Sequence, residues 1–479
     1  MLIAVFAATL AAVAHAVTVE GLPEPAEPRP PKFPPIQEKT FGNGLRVIVV
    51  ERPGLPLVSA EVLLASGSEA DPPAASGLAT FTADLLTQGT GTRTATQIAR
   101  EVEALGATIK ARAEWDGTSV VLSALSAQIE PAFALLADVT RHPKFAPDEV
   151  ERLRKQKLDD LRVALEEPMT VARLAVRRVV LGSDPYAHSA DGTPASLKRL
   201  RRDEVAEFHR TRYTAKQAQI LIVGNIRAGA AFVLAEKNFG DWEGAGEAPG
   251  AAGRDDAPAK ARAVVIDMPN AGQAAVLIGA PGIARGTDDY FRGIVMNSAL
   301  GGGYTSRLNQ EIRVKRGLTY GASSALAAMR TTGLSTAGCQ TKNPSVPEVV
   351  KLIRDEVKRM SGEPVTPEFL ATRQALLEGG LARDLETNGD YLKRLTHYAM
   401  YGLPLASLAE FDTNVRAVKP ADISKFAARH LKPEATSVVV VGHAREFVKP
   451  LRALFPALEV IPQADLDLDS PALRRTGAR

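Results

Sequence analysis

Residues 200–226 read LRRDEVAEFHRTRYTAKQAQILIVGNI, and residues 418–444 read VKPADISKFAARHLKPEATSVVVVGHA. Phe208 aligns with Phe426, Val205 with Ile423 and Gly224 with Gly442, all at an offset of 218. Each copy is an amphipathic helix, a short polar turn, and an apolar β-branched run closed by Val-Gly. A second pair repeats the pattern: FAPDEVERLRKQKLDDL (145–161) is echoed by VTPEFLATRQALLEGGL (365–381) at an offset of 220. Similar offsets in unrelated segments indicate a tandem duplication rather than chance likeness.

Between the copies lies EGAGEAPGAAGRDDAPAK, residues 243–260, rich in Gly, Ala and Pro and without hydrophobic period. That composition is a flexible linker. Within the first copy, Asn43-Gly44 is a hairpin turn ahead of a strand at Leu45–Val50. Thr94 and Gln97 form a capping box before a helix face of Ile98, Val102 and Leu105, and Gly106 is placed to end that helix. Asp116-Gly117 joins strands at Thr108–Trp115 and Thr118–Leu125, and Phe133, Leu136 and Val139 mark another helix. After Ala261 the order recurs, with a strand at Val276–Ala280 and a helix face of Val349, Leu352 and Val357. Strand pairs and helices in separate runs predict an α+β fold of two tandem homologous domains. Each is a mainly antiparallel sheet with helices packed on one face.

The chain has 479 residues, too many for one ordinary core. The predicted divisions are a signal peptide at 1–16, a proline-rich arm at 17–36, domains at 37–242 and 261–462 around the 243–260 linker, and a tail at 463–479. The leader ends in Ala14-His15-Ala16, an A-x-A-like cleavage site, and predicts a periplasmic or otherwise exported protein. It has no Lys or Arg, so an uncleaved anchor or a misassigned start codon is the competing reading. No other stretch approaches a membrane span. A net charge of +3 gives no case for nucleic acid. Cys339, the single cysteine, reads as a buried structural thiol.

Residues 77–90, GLATFTADLLTQGT, resemble the signature helix of the pitrilysin/insulinase family of zinc peptidases. That family carries an inverted zinc motif, His-x-x-Glu-His, after Gly-Leu-Ala and before Gly-Thr. Here Gly77, Leu78, Ala79, Phe81, Leu86, Gly89 and Thr90 keep the frame, while Thr80, Ala83 and Asp84 stand where His, Glu and His belong. Zinc needs converging imidazole, thiolate or carboxylate ligands, and these three residues do not supply them. The family's third ligand is a Glu farther along, over which Asp159 or Asp160 would fall. None of the seven histidines stands four residues from another, the spacing that puts two imidazoles on one helix face.

Residues 300–320, LGGGYTSRLNQEIRVKRGLTY, resemble the same family's C-terminal-domain signature. In that family an Arg and a Tyr seven residues apart reach into the active site, and Arg313 and Tyr320 match them in position and spacing. The competing structural reading pairs Arg313 with Glu311 and buries Tyr320. The run Gly301, Gly302, Gly303 corresponds to a substrate-contacting glycine loop, shorter here. The resemblance implies a non-catalytic subunit of a heterodimeric, mitochondrial-processing-peptidase-like zinc endopeptidase. This chain would hold no cofactor. A homologous partner would supply the His-x-x-Glu-His motif and the zinc, and the pair would hydrolyse unfolded peptides. The alternatives are a scaffold or a peptide-binding protein derived from the same fold, without proteolytic role.

Overall fold

The strands that build the core are almost continuous runs of β-branched residues, such as Arg46–Glu51 (RVIVVE) and Ser437–Gly442 (SVVVVG). Such runs fit strands apolar on both faces, which must be covered from both sides. The computed structural model describes residues 31–244, 246 and 260–475. The predicted leader, most of the arm, most of the linker and the last four residues lie outside the described residues.

The first sheet contains β1 (Ile36–Thr40), β2 (Arg46–Glu51), β3 (Leu57–Leu64), β4 (Thr108–Ala113), β5 (Thr118–Leu125) and β6 (Ala218–Gly224), in the order β1-β2-β6-β3-β5-β4. All neighbours are antiparallel except β2 and β6. The second sheet contains β7 (Ala263–Asp267), β8 (Ala274–Pro281), β9 (Ala322–Ala328), β10 (Gly333–Thr341), β11 (Ser437–Gly442) and β12 (Glu459–Pro462), in the order β12-β7-β11-β8-β10-β9. Five strands repeat in matching order. The sixth differs: β1 pairs antiparallel before β2, whereas β12 pairs parallel with β7 from the far end of the chain.

Local chemistry sets the expected turns and caps. Gly44 takes φ +88° at the tip of the β1–β2 hairpin, a region that costs a non-glycine residue. Thr94 and Gln97 form the reciprocal cap of the helix Ala95–Ala104, and Gly106 follows it at φ +59°.

One face of the first sheet, through Val47, Val49, Val62 and Leu122, packs under its own helices with Phe133, Leu136 and Phe239. The second sheet buries Val276, Ile278 and Val440 under Val349, Ile353 and Val357 in the same way. The opposite faces are covered by exchange. Val171, Ala175, Val176 and Val179 of the helix Pro168–Leu181 pack on Val264, Leu277, Val439 and Val441 of the second sheet. Tyr391, Leu392 and Leu395 of the helix Asn388–Met400 pack with Ile48, Val50, Leu63 and Leu221 of the first. These helices start 220 residues apart, and glycines at φ +60° (Gly182) and +64° (Gly402) stand after their last turns. The duplicated helix therefore serves the other copy's sheet in both halves.

A buried polar seam locks the exchange. Asp116 is fully buried and accepts from the Tyr186 hydroxyl, from the Tyr401 hydroxyl at 3.1 Å and from the Arg330 N–H at 3.2 Å. Glu69 lies beside it, with the Arg330 guanidinium 3.7 Å away. Burial pushes the Glu69 carboxyl up to about 8 against the pull of Arg330, and the Asp116 charge adds to the rise. Residues 463–475, read from the sequence only as a tail, also cross the molecule. Leu468 and Leu473 are buried against the 168–181 helix, and Asp469 accepts from Ser76 at 3.0 Å and Thr193 at 2.6 Å.

Because the folded carboxyl of Glu69 binds its proton more tightly than the unfolded one, its contribution to stability falls as pH rises from about 4.5 to about 8. Glu69→Gln is expected to remove that part of the pH dependence, so that melting temperatures of variant and wild type diverge between about pH 4.5 and 8 in favour of the variant and keep a constant separation above it. Parallel melting curves across this range would contradict the assignment.

Candidate functional site

The helix Leu78–Leu85 starts at a glycine for a steric reason. Gly77 has φ +89°, and a Cβ there would come within 2.7 Å of the Gly192 backbone. The carboxylate of buried Asp71 caps the helix, accepting the Gly77 and Ala79 N–H groups at 2.8 Å each. His188 Nε2 lies 3.2 Å from the same carboxylate. The signature frame thus persists as packing and capping.

The three motif positions have other partners. Thr80 donates to the Ala190 carbonyl at 2.7 Å, and Ala83 is buried without a donor atom. Asp84 is ion-paired at 2.5 Å with Lys157, from the helix Pro147–Ala164. Burial holds the Asp84 carboxyl above the usual carboxylate range, with Lys157 opposing and Asp191 adding to the rise. Asp159 and Asp160 are exposed, and Asp159 faces Arg162 at 3.8 Å. The sequence reading compared carboxylates and passed over the lysine two residues upstream. A protonated amine beside Asp84 opposes a divalent cation. The residues present therefore do not fit zinc, and no step of chemistry is assigned to a metal in this chain.

The described histidines do not converge. His209 Nε2 lies 2.8 Å from the Thr140 carbonyl, His430 Nε2 3.2 Å from Asp289, and His443 Nδ1 3.1 Å from Glu446. Half-buried His397 accepts from Arg285 at 2.9 Å, and burial first, then that guanidinium, push it down to about 4. Among the described residues no group of three His, Cys, Asp or Glu side chains is placed to hold a metal, and no helix is long and apolar enough to cross a membrane.

The second-half signature has a different character. Arg313 lies in the π-helical segment Asn309–Val314, its guanidinium 4.7 Å from the Tyr304 ring centroid. It does not pair with Glu311, whose carboxylate is taken by Lys315 at 2.8 Å and Arg316 at 2.5 Å. Tyr320 is 88% exposed. The competing reading, a paired Arg313 and a buried Tyr320, does not describe this geometry. Gly301 and Gly302 are explained by close approach: a Cβ on Gly301 would meet the Ser324 backbone nitrogen at 2.1 Å, and one on Gly302 the Ser298 Cα at 2.5 Å. Gly303 has φ +153°, and its carbonyl accepts from the Asn309 side chain at 2.9 Å, fixing the loop to the signature segment.

Tyr320 borders a cavity of about 590 Å³ between the 168–181 helix and the face of β8, β9 and β10. Thr80, Ala83 and Asp84 do not line it. Cys339 does, although it is buried and its thiol is pushed up to about 11 by that burial.

The family is settled by comparison with known proteins. Residues 46–190 match the model of insulinase, peptidase family M16, and residues 199–377 match that of the peptidase M16 inactive domain. The chain belongs to the insulinase (M16) family and has its peptidase fold. An uncharacterized zinc protease of Mycobacterium leprae is 27% identical over 78% of this chain and 85% of its own length. One from Mycobacterium tuberculosis is 26% identical over 90% and 98%. A crystal structure of a peptidase M16 inactive domain from Pseudomonas fluorescens superposes with a TM-score of 0.78 at 28% identity, over 85% of this chain and 98% of that one. A protease from Helicobacter pylori has the same fold, with a TM-score of 0.78 at 18% identity over 85% and 100%.

Removal of Lys157 leaves Asp84 half-buried and unpaired. Lys157→Ala is expected to cost about 1–2 kcal/mol, between the limits for exposed and buried pairs. Adding Asp84→Asn should recover most of the loss in urea unfolding. Additive losses in the double variant would contradict the pairing.

Proposed function

We propose that this chain is the non-catalytic subunit of a two-chain zinc endopeptidase, and that it brings Arg313 and Tyr320 to the zinc site of a homologous partner. The observation that carries the reading is a contrast. The first half has filled its metal positions with an ion pair, whereas the second half keeps Tyr320 at 88% exposure beside a cavity and Arg313 without a carboxylate partner among the described residues. The match of residues 199–377 to the inactive domain of this peptidase family supports a peptidase partner from the same family.

The two side chains have defined roles in this reading. The Tyr320 hydroxyl donates to the oxyanion that develops as a peptide carbonyl becomes tetrahedral. The Arg313 guanidinium, planar and always charged, holds a neighbouring carbonyl or carboxylate in fixed orientation. Neither activates water, so the chain alone has no hydrolytic activity. The substrate is an unfolded peptide, bound extended along a sheet edge of the partner. Export to the periplasm, from the leader at 1–16, belongs to the same proposal. A scaffold derived from the fold has no use for an exposed Tyr320 and an unpaired Arg313 together.

Purified alone, the chain should contain no stoichiometric zinc and cleave no peptide. Mixed with a partner bearing His-x-x-Glu-His, it should give chelator-sensitive turnover. Tyr320→Phe is expected to lower kcat by roughly 10²–10³-fold, the usual cost of one oxyanion donor, and Arg313→Ala should lower it as well. Both complexes should remain intact by size exclusion. Normal turnover in both variants would refute the shared site.

A further inference from the structure

The cavity beside Tyr320 differs from its counterpart in the first half. The β4–β5 hairpin closes with the pair Ala113 and Thr118, and the β9–β10 hairpin closes with Ala328 and Gly333. Carried through the strand registers from Gly224 and Gly442, Lys110 opposite Val121 corresponds to Ser323 opposite Gly338, and Arg112 opposite Ser119 to Ala325 opposite Thr336. Alternate residues of a strand share a face, so where the first sheet carries two long cations the second carries a serine and an alanine. The small side chains of Ala325, Ala327 and Thr336 form part of the cavity lining. The duplicated positions have been emptied in this half.

What the floor lost, the wall supplies. Arg173 and Arg177, one turn apart on the 168–181 helix, both line the cavity, and among the described residues no Asp or Glu does. Arg177 is half-buried, with its guanidinium 4.3 Å from the Trp115 ring centroid and one nitrogen donating to the Tyr186 carbonyl at 3.0 Å. Among the described residues it has no carboxylate partner, and burial alone pushes it down to about 10. Arg173 is exposed at the same wall. Desolvating a guanidinium without an anion is costly, and a cavity of this size between two rigid elements suits a ligand that brings one. The Trp115 stack and the Tyr186 carbonyl fix the plane of Arg177, which presents it as a fork to a carboxylate.

We propose that this cavity binds an extended peptide through a carboxylate held by Arg177 and Arg173, with the chain running over the small-residue floor toward Tyr320. The identification of the ligand as a peptide rests on the function proposed above, and the site makes that substrate class acidic near the bond presented to Tyr320. Trp115 and Tyr186 are positioning residues that act through Arg177. The carboxylate has two possible sources, an internal Asp or Glu side chain and a peptide C-terminus, and both meet the same guanidinium pair.

The test uses the whole chain without a partner, so its outcome does not depend on the shared zinc site. Fluorescence anisotropy would compare one short labelled unfolded peptide in four forms: with an internal Glu or the isosteric Gln, and with a free or an amidated C-terminus. The form bearing the recognised carboxylate should bind about tenfold more tightly than its neutral isostere, a difference of about 1.4 kcal/mol. Arg173→Gln, at an exposed position that tolerates change, should shrink that preference, and Arg177→Gln should abolish it. Ala325→Leu should weaken all four forms by filling the floor. Equal affinity for charged and neutral forms overturns the proposal, as does a preference unaffected by Arg173→Gln and Arg177→Gln. Failure to bind any form at micromolar concentration, alongside normal turnover with a zinc-bearing partner, overturns it while leaving the shared active site standing.

Discussion

Each sheet of this protein is apolar on both faces, and the helix that covers the second face of each comes from the other half. Ile48, Val50 and Leu221 lie under Tyr391 and Leu395, while Val264, Val439 and Val441 lie under Val176 and Val179. Neither half can bury its own sheet completely. Fully burying an aliphatic side chain is worth about 1.5–3 kcal/mol relative to exposure, and each exchanged helix contributes several. The two halves are therefore one cooperative object, despite a linker whose composition alone would permit independent movement. The seam around Asp116, with Tyr186 from one half and Tyr401 and Arg330 from the other, adds a directional lock where apolar packing is non-directional.

The same exchange builds the surface to which we assign function. The 168–181 helix is encoded with the degenerate zinc half, yet its outer residues form the wall of the cavity on the second sheet. Tyr320 faces that wall from the loop before β9. The surface that survives in this chain is built by both halves, although the signature that identifies it lies in one. The first half's helix is needed to cover the second sheet and to carry Arg173 and Arg177.

Much of the architecture was legible in the sequence because it follows from local chemistry. The 218–220 offset, the Asn43-Gly44 turn, the Thr94–Gln97 cap and the Asp116-Gly117 hairpin each specify backbone geometry by themselves. The exchange of helices was not legible, since an amphipathic stripe such as Val171, Ala175 and Val179 says that a helix must be covered but not by which sheet. Lys157 was missed because the search looked for a ligand where the chain had placed an ion-pair partner. An unmatched Asp84 on a buried helix was the available signal that a cation must face it. The exposure of Tyr320 and the freedom of Arg313 from Glu311 depend on who takes Glu311, a choice that Lys315 and Arg316 settle in three dimensions.

The central claim is that the second half of this chain completes a site whose metal belongs to another chain. Placing a photo-reactive side chain at position 320 and irradiating the complex with a homologous zinc-motif partner and a labelled peptide measures that directly. The account predicts cross-links from position 320 to the partner's zinc-motif segment, alongside those to the peptide. An intact complex in which position 320 gives no cross-link to the partner would contradict it.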